Sequence, residues 1–426
     1  AGTWVLPDPG AFVVVGTPRL SSRTGEAWEF TKISTVDSEI ASQPDARPAR
    51  QSPQPSGTAR PRIRVGVIFG GQSAEHEVSL MSAASVLKAI DHSRFEVVPL
   101  AISKAGKWLT ETQSASLLAS GSALASPEIG SGHPENDEYP IAPSGAHATG
   151  FDGPSQQMRG VDVVFPVLHG PYGEDGTVQG LLELAGIAYV GSGVLGSALG
   201  MDKVKMKEVL AYHGLPVVEW RSFRRWQWRE ERERVVADSE VFGYPCFVKP
   251  ANLGSSIGVS KAHDRAELAA ALAEAFSHDG KAIVEPAIDA REIEVSVIGN
   301  HHPRASIAGE IVPSNEFYDY AAKYLDGKSE LHIPADLSAT DAAEVRHLAV
   351  RAFLALECAG LARADFFLDR QTGKWFVNEL NTMPGFTSIS MYPKLWEASG
   401  VLYQDLISEL IDLAISRWKE RHQTYA

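Results

Sequence analysis

The sequence predicts an α/β protein, with a parallel, helix-covered sheet at the front and two α+β blocks behind it. Two observations carry this. The stretch from Arg62 to Ser103 reads as strand, helix, strand. Its first part, "RIRVGVIFGG", is apolar and ends in a Gly-Gly turn; "EHEVSLMSAASVLKAI" spaces Val78, Met81, Val86 and Ile90 for a helix face; "FEVVPLAIS" is apolar again. A strand–helix–strand unit of this length closes into a parallel sheet. Farther on, strands come in hairpin-like pairs, as in "CFVKPANLGSSIGVSKA" and "RADFFLDRQTGKWFVNELN".

The 426 residues suffice for two or three domains. With 44% hydrophobic and 22% charged residues, the balance is that of a globular chain able to bury large cores. A formal charge of −14 argues against a nucleic-acid scaffold or a binder of anionic membranes, so a polyanionic ligand has to be met by local cations. Cys246 and Cys358 both sit in apolar contexts and read as core thiols of a reducing cytosol. No apolar run approaches the ~18 residues of a membrane span, and no basic segment followed by an apolar one suggests a secretory signal. A cytoplasmic location is therefore expected.

Residues 1–61 stand apart. "DSEIASQPDARPARQSPQPSGTARPR" is rich in Pro, Ser, Ala and Arg and too poor in large apolar residues to offset the entropy of ordering, so a disordered N-terminal extension is expected. Residues 62–200 form the parallel-sheet domain. Beyond the first βαβ unit, residues 111–160 are Ser/Ala/Gly/Pro-rich and read as a surface excursion. "VDVVFPVLHG" is a buried strand, "GTVQGLLELAGI" a helix, and "AYVG" a short strand. Residues 201–280 form a central block. A helix from Met201 to about Tyr212 stops at Gly214, and the strands "YPCFVKPA" and "GVSKA" precede the helix "RAELAAALAEAFS". Residues 281–426 form the last block: "KAIVEPAI", "REIEVSVIGN" and "PRASIAGEIV" as strands, a polar loop at 313–333, the helix "TDAAEVRHLAVRAFLALECAG", a strand pair and a C-terminal helix.

Four constellations carry chemistry. In the strand pair, a turn near Gln371–Thr372 sets Asp365 almost opposite Glu379, with Asn381 on the same face as Glu379. Opposed carboxylates repel, and two acids with an amide oxygen suit Mg²⁺ held jointly with phosphates; a solvated acidic pair satisfied by lysines is the plainer reading. Arg363, one face-step before Asp365, favours a site. Lys249 ends an apolar strand and is followed by Gly254, Ser255, Ser256 and Gly258. A buried ammonium needs an anion, and so bare a loop lets backbone N–H groups approach one; an ordinary turn with a snorkelling lysine is the alternative. "GGQSAEHEVSL" puts Glu75 at a helix start, where Ser73 could serve as N-cap with acids in the first turn. "LHGPYGEDGTVQG" gathers His169, Glu174 and Asp175 at the end of a parallel strand, where ligands bind in open α/β sheets, although a satisfied loop histidine fits as well.

Taken together, "GGQSAEHEVSL", "FPVLHGPYGEDGTVQGLLELAGI", "GSALGMDKVKMKEVL", "FVKPANLGSSIGVSK", "REIEVSVIGN", "EFYDYAAKY", "RADFF" and "NELNTMPGFTSISMYPKLW" resemble the D-alanine–D-alanine ligases of the ATP-grasp superfamily, in the family's order and over about residues 62–420. The resemblance implies an ATP-grasp fold: a Rossmann-like parallel-sheet domain followed by two α+β domains gripping ATP. It implies phosphorylation of one D-alanine by ATP and attack on the acyl phosphate by the amine of a second. It places Lys207, Lys249 and Ser256 on the ATP phosphates, Glu285 and Ile288 at the adenine, and Glu292 on the ribose. Asp365, Glu379 and Asn381 hold two Mg²⁺ ions, with Mn²⁺ a possible substitute. Arg363 and the Gly385 N–H stabilise the acyl phosphate and oxyanion. Glu75 holds the ammonium of the first D-alanine beside His169, and Ser390, near Met391, receives the carboxylate of the second. Lys323 and Tyr324 ride on a loop closing over ATP, and Tyr324, Ser255 and Glu75 form a hydrogen-bonded trio. The resemblance also implies a homodimer. One departure is Pro286, which cannot offer adenine an N–H. Competing readings are a D-alanine–D-lactate ligase, disfavoured by "EFYDYAAKY"; another ATP-grasp carboxylate–amine ligase, disfavoured by the Glu75 and Ser390 contexts; and a non-catalytic ATP-binding regulator, which would have lost a metal ligand or Arg363.

Overall fold

In a computed structural model of the chain, described over residues 61–123, 157–312 and 330–423, the first unit is a four-stranded parallel sheet in the order β2-β1-β3-β4. Its strands are β1 (Ile63–Gly70), β2 (Phe95–Ile102), β3 (Val163–Pro166) and β4 (Ala188–Tyr189). β1 is central and buried, as its unbroken apolar run requires in a sheet covered on both faces. It runs into Gly70 and Gly71, whose φ angles of 91° and 95° only glycine adopts without strain; a Cβ on Gly70 would lie 2.2 Å from the Ile102 carbonyl oxygen. Helix α1 (His76–Ala89) follows. Its inner row is Leu80, Ala83 and Val86, continued by Ile90; Val78 is also buried, whereas Met81, expected on that row, is half-buried.

The expected surface excursion opens instead with a helix, α2 (Glu111–Ala123). The reason is local. The Thr110 N–H donates to Gln113 Oε1 (3.0 Å) and the Gln113 N–H to Thr110 Oγ1 (3.3 Å), a reciprocal N-terminal cap, and buried Ser114 accepts the Ala101 N–H at 3.1 Å. Residues 124–156 lie outside the described residues. Helix α3 (Thr177–Leu184) precedes β4. The helix expected from Met201 is two: α4 (Val194–Met201) and α5 (Lys203–Tyr212), divided at Asp202, whose carboxylate accepts the N–H groups of Val204 and Lys205. Gly214, at φ 67°, follows α5.

A second sheet holds β5 (Arg221–Arg224), β6 (Cys246–Pro250), β7 (Ser260–Ala262) and β8 (Lys281–Pro286), antiparallel in the order β5-β8-β6-β7. β8 belongs to this sheet, which therefore runs past residue 280. Short helices α6 (Arg225–Glu230) and α7 (Arg232–Ser239) and the longer α8 (Arg265–His278) accompany it. Val235, Val236, Leu268, Leu272 and Phe276 pack with Cys246 and Val248 of β6 into one core.

The third sheet is antiparallel in the order β11-β10-β9-β12-β13, from β9 (Ala290–Gly299), β10 (Arg304–Val312), β11 (Glu330–His332), β12 (Gly360–Asp369) and β13 (Trp375–Asn381). One face of β9, β12 and β13 packs on α5 and α9 (Ala339–Ala355). α9 stops at Ala355, short of the expected run to Gly360, because Leu356–Ala359 turns the chain into β12, with Glu357 at φ 55°. Helices α10 (Met391–Ala398) and α11 (Tyr403–Gln423) complete the chain; α10 carries Pro393 in its first turn, where no intrahelical N–H is needed. The stripe Leu406, Ile407, Leu410, Ile411 and Ala414 of α11 packs into the core of the first sheet. Cys246 and Cys358 are free and buried. Among the described residues, no helix is long and apolar enough to cross a membrane.

Candidate active site

The site is built where the second and third sheets meet the C-terminal ends of β1 and β3. Its cationic side starts at Lys249. That side chain and Lys207, one turn beyond Lys203 on α5, each lie 2.7 Å from a different oxygen of Glu285 on β8. Lys207 and Glu285 are buried, and Lys249 is half-buried. Burial would raise the Glu285 carboxyl, but the two ammonium groups outweigh it and hold it down at about 2. Burial pulls Lys207 below its ordinary value, with Lys249 adding repulsion, against the raising pull of Glu285; burial pulls Lys249 down as well, but Glu285 with Glu379 and Glu292 together outweigh it and the value rises. The trio carries one net positive charge and fixes two lysines in one place. Lys203, Lys207's neighbour on the helix, donates from Nζ to the Leu253 carbonyl (2.7 Å) and stands 3.5 Å from Glu379.

The loop after β6 is strained. Ser255 and Ser256 hold φ angles of 50° and 58°, in the left-handed region that costs a side-chain-bearing residue about 1–2 kcal/mol. Ser255 Oγ donates to Glu75 Oε1, joining this loop to the start of α1. The N-cap of α1 is Glu75, not Ser73; Ser73 Oγ instead accepts the Glu75 N–H at 3.2 Å. Glu75 is buried, as is His169 just past β3. His169 Nδ1–H donates to the Met383 carbonyl (3.1 Å), leaving Nε2 toward Ser82 Oγ (3.3 Å). Burial pushes this imidazole below its ordinary value, despite the pull of Glu75.

The acidic side comes from the third sheet. Asp365 on β12 faces Glu379 on β13 directly, as expected. A bulge makes this so. Phe366 pairs with Val377, and a regular ladder would then set Asn378 opposite Asp365. Trp375 and Val377 point into the core, but so does Leu380, so the alternation skips one residue and turns Glu379 and Asn381 to the face of Arg363 and Asp365. A third carboxylate, Glu294 on β9, pairs with Asp365 from the other side. It escaped the sequence reading, although alternation from Glu292 along "REIEVSV" brings it to the same face. Arg363 grips Asp365 with two hydrogen bonds of 2.7 Å and reaches Glu294 at 3.1 Å. Burial would lower its guanidinium, but Asp365 and Glu294 raise it well above its usual value.

A cavity of about 630 Å³ joins these sides. Lys249, Ser255, Ser256, Glu285 and Ile288 line it from one side, and Glu292 of β9 with Arg363, Asp365 and Glu379 from the other. Pro286 lines it too; the next N–H, that of Ala287, donates to the Pro245 carbonyl at 3.1 Å. Lys207 lies behind the lining, buried against Glu285. Asn381 Oδ1 accepts the Met383 N–H at 3.0 Å, which anchors the loop to Ser390. In that loop Gly385 sits so close to Ser390 that a Cβ would lie 3.0 Å from its Oγ, and Ser390 Oγ also meets Thr387 Oγ1 at 2.8 Å. Met391 is buried in a small cluster with Ile311 and Leu395. Lys323 and Tyr324 lie outside the described residues. The oxygen donors Asp365, Glu379 and Asn381 have the chemistry of a hard divalent cation. Among the described residues no three His, Cys, Asp or Glu side chains form a ready metal cluster, and both oxygens of Asp365 accept hydrogen bonds from Arg363.

Residues 64–192 match the family described as D-ala D-ala ligase N-terminus and residues 209–412 that described as D-ala D-ala ligase C-terminus. Proteins named D-alanine–D-alanine ligase from Natranaerobius thermophilus and Bacillus cytotoxicus are 48% and 49% identical to this chain, over 84% and 85% of it and 97% and 98% of their own lengths. Among solved structures, the D-alanine–D-alanine ligase from Coxiella burnetii is 33% identical, with a TM-score of 0.68 over 85% of this chain and 97% of its own. The VanG D-Ala:D-Ser ligase from Enterococcus faecalis is also 33% identical, with a TM-score of 0.68 over 83% of this chain and all of its own.

Proposed function

Because the chain belongs to the D-alanine–D-alanine ligase family, we propose that this cavity is where it joins two D-alanines into the dipeptide used for peptidoglycan precursors, converting ATP to ADP and phosphate. The observation that carries the assignment to this place is the cavity itself: a fixed pair of lysines, a bare serine loop and a row of acids with an arginine converge on one space. The γ-phosphoryl group passes to the carboxylate of the first D-alanine. The amine of the second then attacks the acyl carbon, and phosphate leaves.

In this scheme Lys207 and Lys249 neutralise the triphosphate, with Ser256 and neighbouring loop N–H groups over it. Ile288 and Glu285 border the adenine and Glu292 meets the ribose. Pro286 has no N–H and that of Ala287 is taken, so adenine recognition rests on positions beyond them and on packing. Arg363 and the Gly385 N–H face the negative charge that develops on the acyl phosphate and the tetrahedral oxyanion. Glu75 holds the first ammonium beside His169, and Ser390 the second carboxylate, with Met391 supporting its helix. Lys323 and Tyr324 close over the nucleotide. Asp365, Glu379 and Asn381 are the residues that would hold Mg²⁺, which would screen the phosphate charge. We place the enzyme in the cytoplasm as a homodimer.

The test is D-alanine-dependent ADP release, with products identified by mass spectrometry at equal D-alanine, D-lactate and D-serine at pH 7.5. D-alanyl-D-alanine is expected to dominate. Mostly depsipeptide would install the D-lactate reading, mostly D-alanyl-D-serine the specificity of the Enterococcus neighbour, and no D-alanine-dependent ADP the non-catalytic one.

A further inference from the structure

Helix α1 carries a row of three serines, Ser79, Ser82 and Ser85, each three residues from the next and so its neighbour on the helix surface. The ligation scheme uses none of them. Ser79 Oγ accepts the Gly70 N–H at 2.8 Å and donates to the Val167 carbonyl, which ties α1 to the ends of β1 and β3. Ser82 Oγ donates to His169 Nε2 at 3.3 Å. Ser85, the last of the row, reaches the loop between β13 and α10 that carries Gly385 and Ser390.

Tyr403, the first residue of α11, completes that contact. Its Oη lies 2.6 Å from the Phe386 carbonyl oxygen and 3.2 Å from Ser85 Oγ, and the Ser388 N–H donates to the same Oγ at 3.2 Å. Proton count sets the directions. A phenol has one proton and a carbonyl oxygen only accepts, so Tyr403 donates to Phe386. Tyr403 Oη then accepts from the Ser85 hydroxyl. A closed path results, from the Ser388 N–H through Ser85 and Tyr403 to the Phe386 carbonyl, and both its ends lie on one loop. Burial pushes the Tyr403 phenol up to about 12, so its proton stays in place at neutral pH. The rings of Tyr403 and Phe386 also pack, with centroids 5.6 Å apart.

The Phe386 carbonyl belongs to the same peptide unit as the Thr387 N–H, and that N–H donates to Ser390 Oγ at 3.2 Å. The unit is planar and trans, so a grip on its carbonyl fixes where its N–H points. We infer that Tyr403 and Ser85 are positioning residues: they orient the Phe386–Thr387 peptide, and through it aim Ser390 at the carboxylate of the second D-alanine. This rests on the reading of Ser390 as that carboxylate's partner. An Oγ that accepts the Thr387 N–H keeps its own proton to donate, as a carboxylate requires. In this scheme neither Tyr403 nor Ser85 touches a reacting atom.

The experiment measures turnover of the full chain at saturating ATP against D-alanine concentration, fitted to separate Michaelis constants for the two D-alanines, with ADP affinity from calorimetry. Tyr403→Phe keeps the ring and loses the hydroxyl; Ser85→Ala breaks the same path. Each is expected to raise the constant of the second D-alanine about tenfold, as one lost hydrogen bond allows, with the constant of the first and the ADP affinity within about twofold of wild type. The double variant should lose no more than either single, because both cut one path. Ser85→Thr, which keeps the hydroxyl, should behave as wild type. A second-site constant unchanged in either single variant, or all three quantities shifted alike, overturns the inference. The Ser85 variants decide the matter if Tyr403→Phe does not fold. Ser390→Ala separates the two claims: an unchanged second-site constant there sinks the Ser390 assignment, whereas a raised one beside an unchanged Tyr403→Phe sinks only the path.

Discussion

Glu285 holds two ammonium groups with one carboxylate, and its position has a measurable acid signature. Its folded value, about 2, lies below the ordinary 4.5, so its contribution to stability is complete above pH 4.5 and is lost as pH falls toward 2. The shift corresponds to about 3 kcal/mol. Chemical denaturation of wild type and Glu285→Gln should show a gap of that order at pH 6 that closes between pH 4.5 and 2; a gap that ignores pH would mean that the lysines do not depend on this charge. Glu379 belongs to the chemistry instead. Glu379→Gln is expected to lower Mg²⁺-dependent turnover by orders of magnitude with an unchanged melting temperature. Near-native activity at limiting Mg²⁺ would remove the strand pair from metal binding.

The β12–β13 hairpin shows how an element aims residues. Its bulge changes which face Glu379 occupies, and bulges commonly serve this end beside active sites. Deleting Asn378 should restore a regular ladder that keeps Glu379 opposite Asp365 and Leu380 in the core, so turnover should persist while the far-ultraviolet circular dichroism stays close to wild type. Abolished turnover would show that the bulge itself, and not only the face that Glu379 occupies, is needed. The signal for the bulge lies in "WFVNELN", where the apolar positions Trp375, Val377 and Leu380 break a strict alternation. The cap that starts α2 is likewise written in Thr110 and Gln113, and a composition-based reading of that stretch passes over it.

Across the whole molecule, the chain returns on itself: α11, at its end, supplies the apolar stripe that fills the core of the sheet at its start. The family match begins at residue 64, and this chain's matched portion covers 97–98% of the Natranaerobius and Bacillus relatives. Residues 1–60 therefore add nothing those relatives require, and their composition offers little to bury. Deleting them should leave melting temperature and turnover within error of the full chain. A drop of several degrees or a marked loss of turnover would show that the extension packs on the rest.

Period and order along the chain were enough to read the α/β class, the parallel sheet, the serine loop behind Lys249 and the opposition of Asp365 and Glu379, because each depends on neighbours in sequence or on one short turn. Folding alone decided that Glu285 would spend its charge on Lys207 and Lys249 and that Glu294 would join Asp365. These contacts link segments tens of residues apart. The energy of a buried charge is set by what surrounds it in space, which local pattern does not encode.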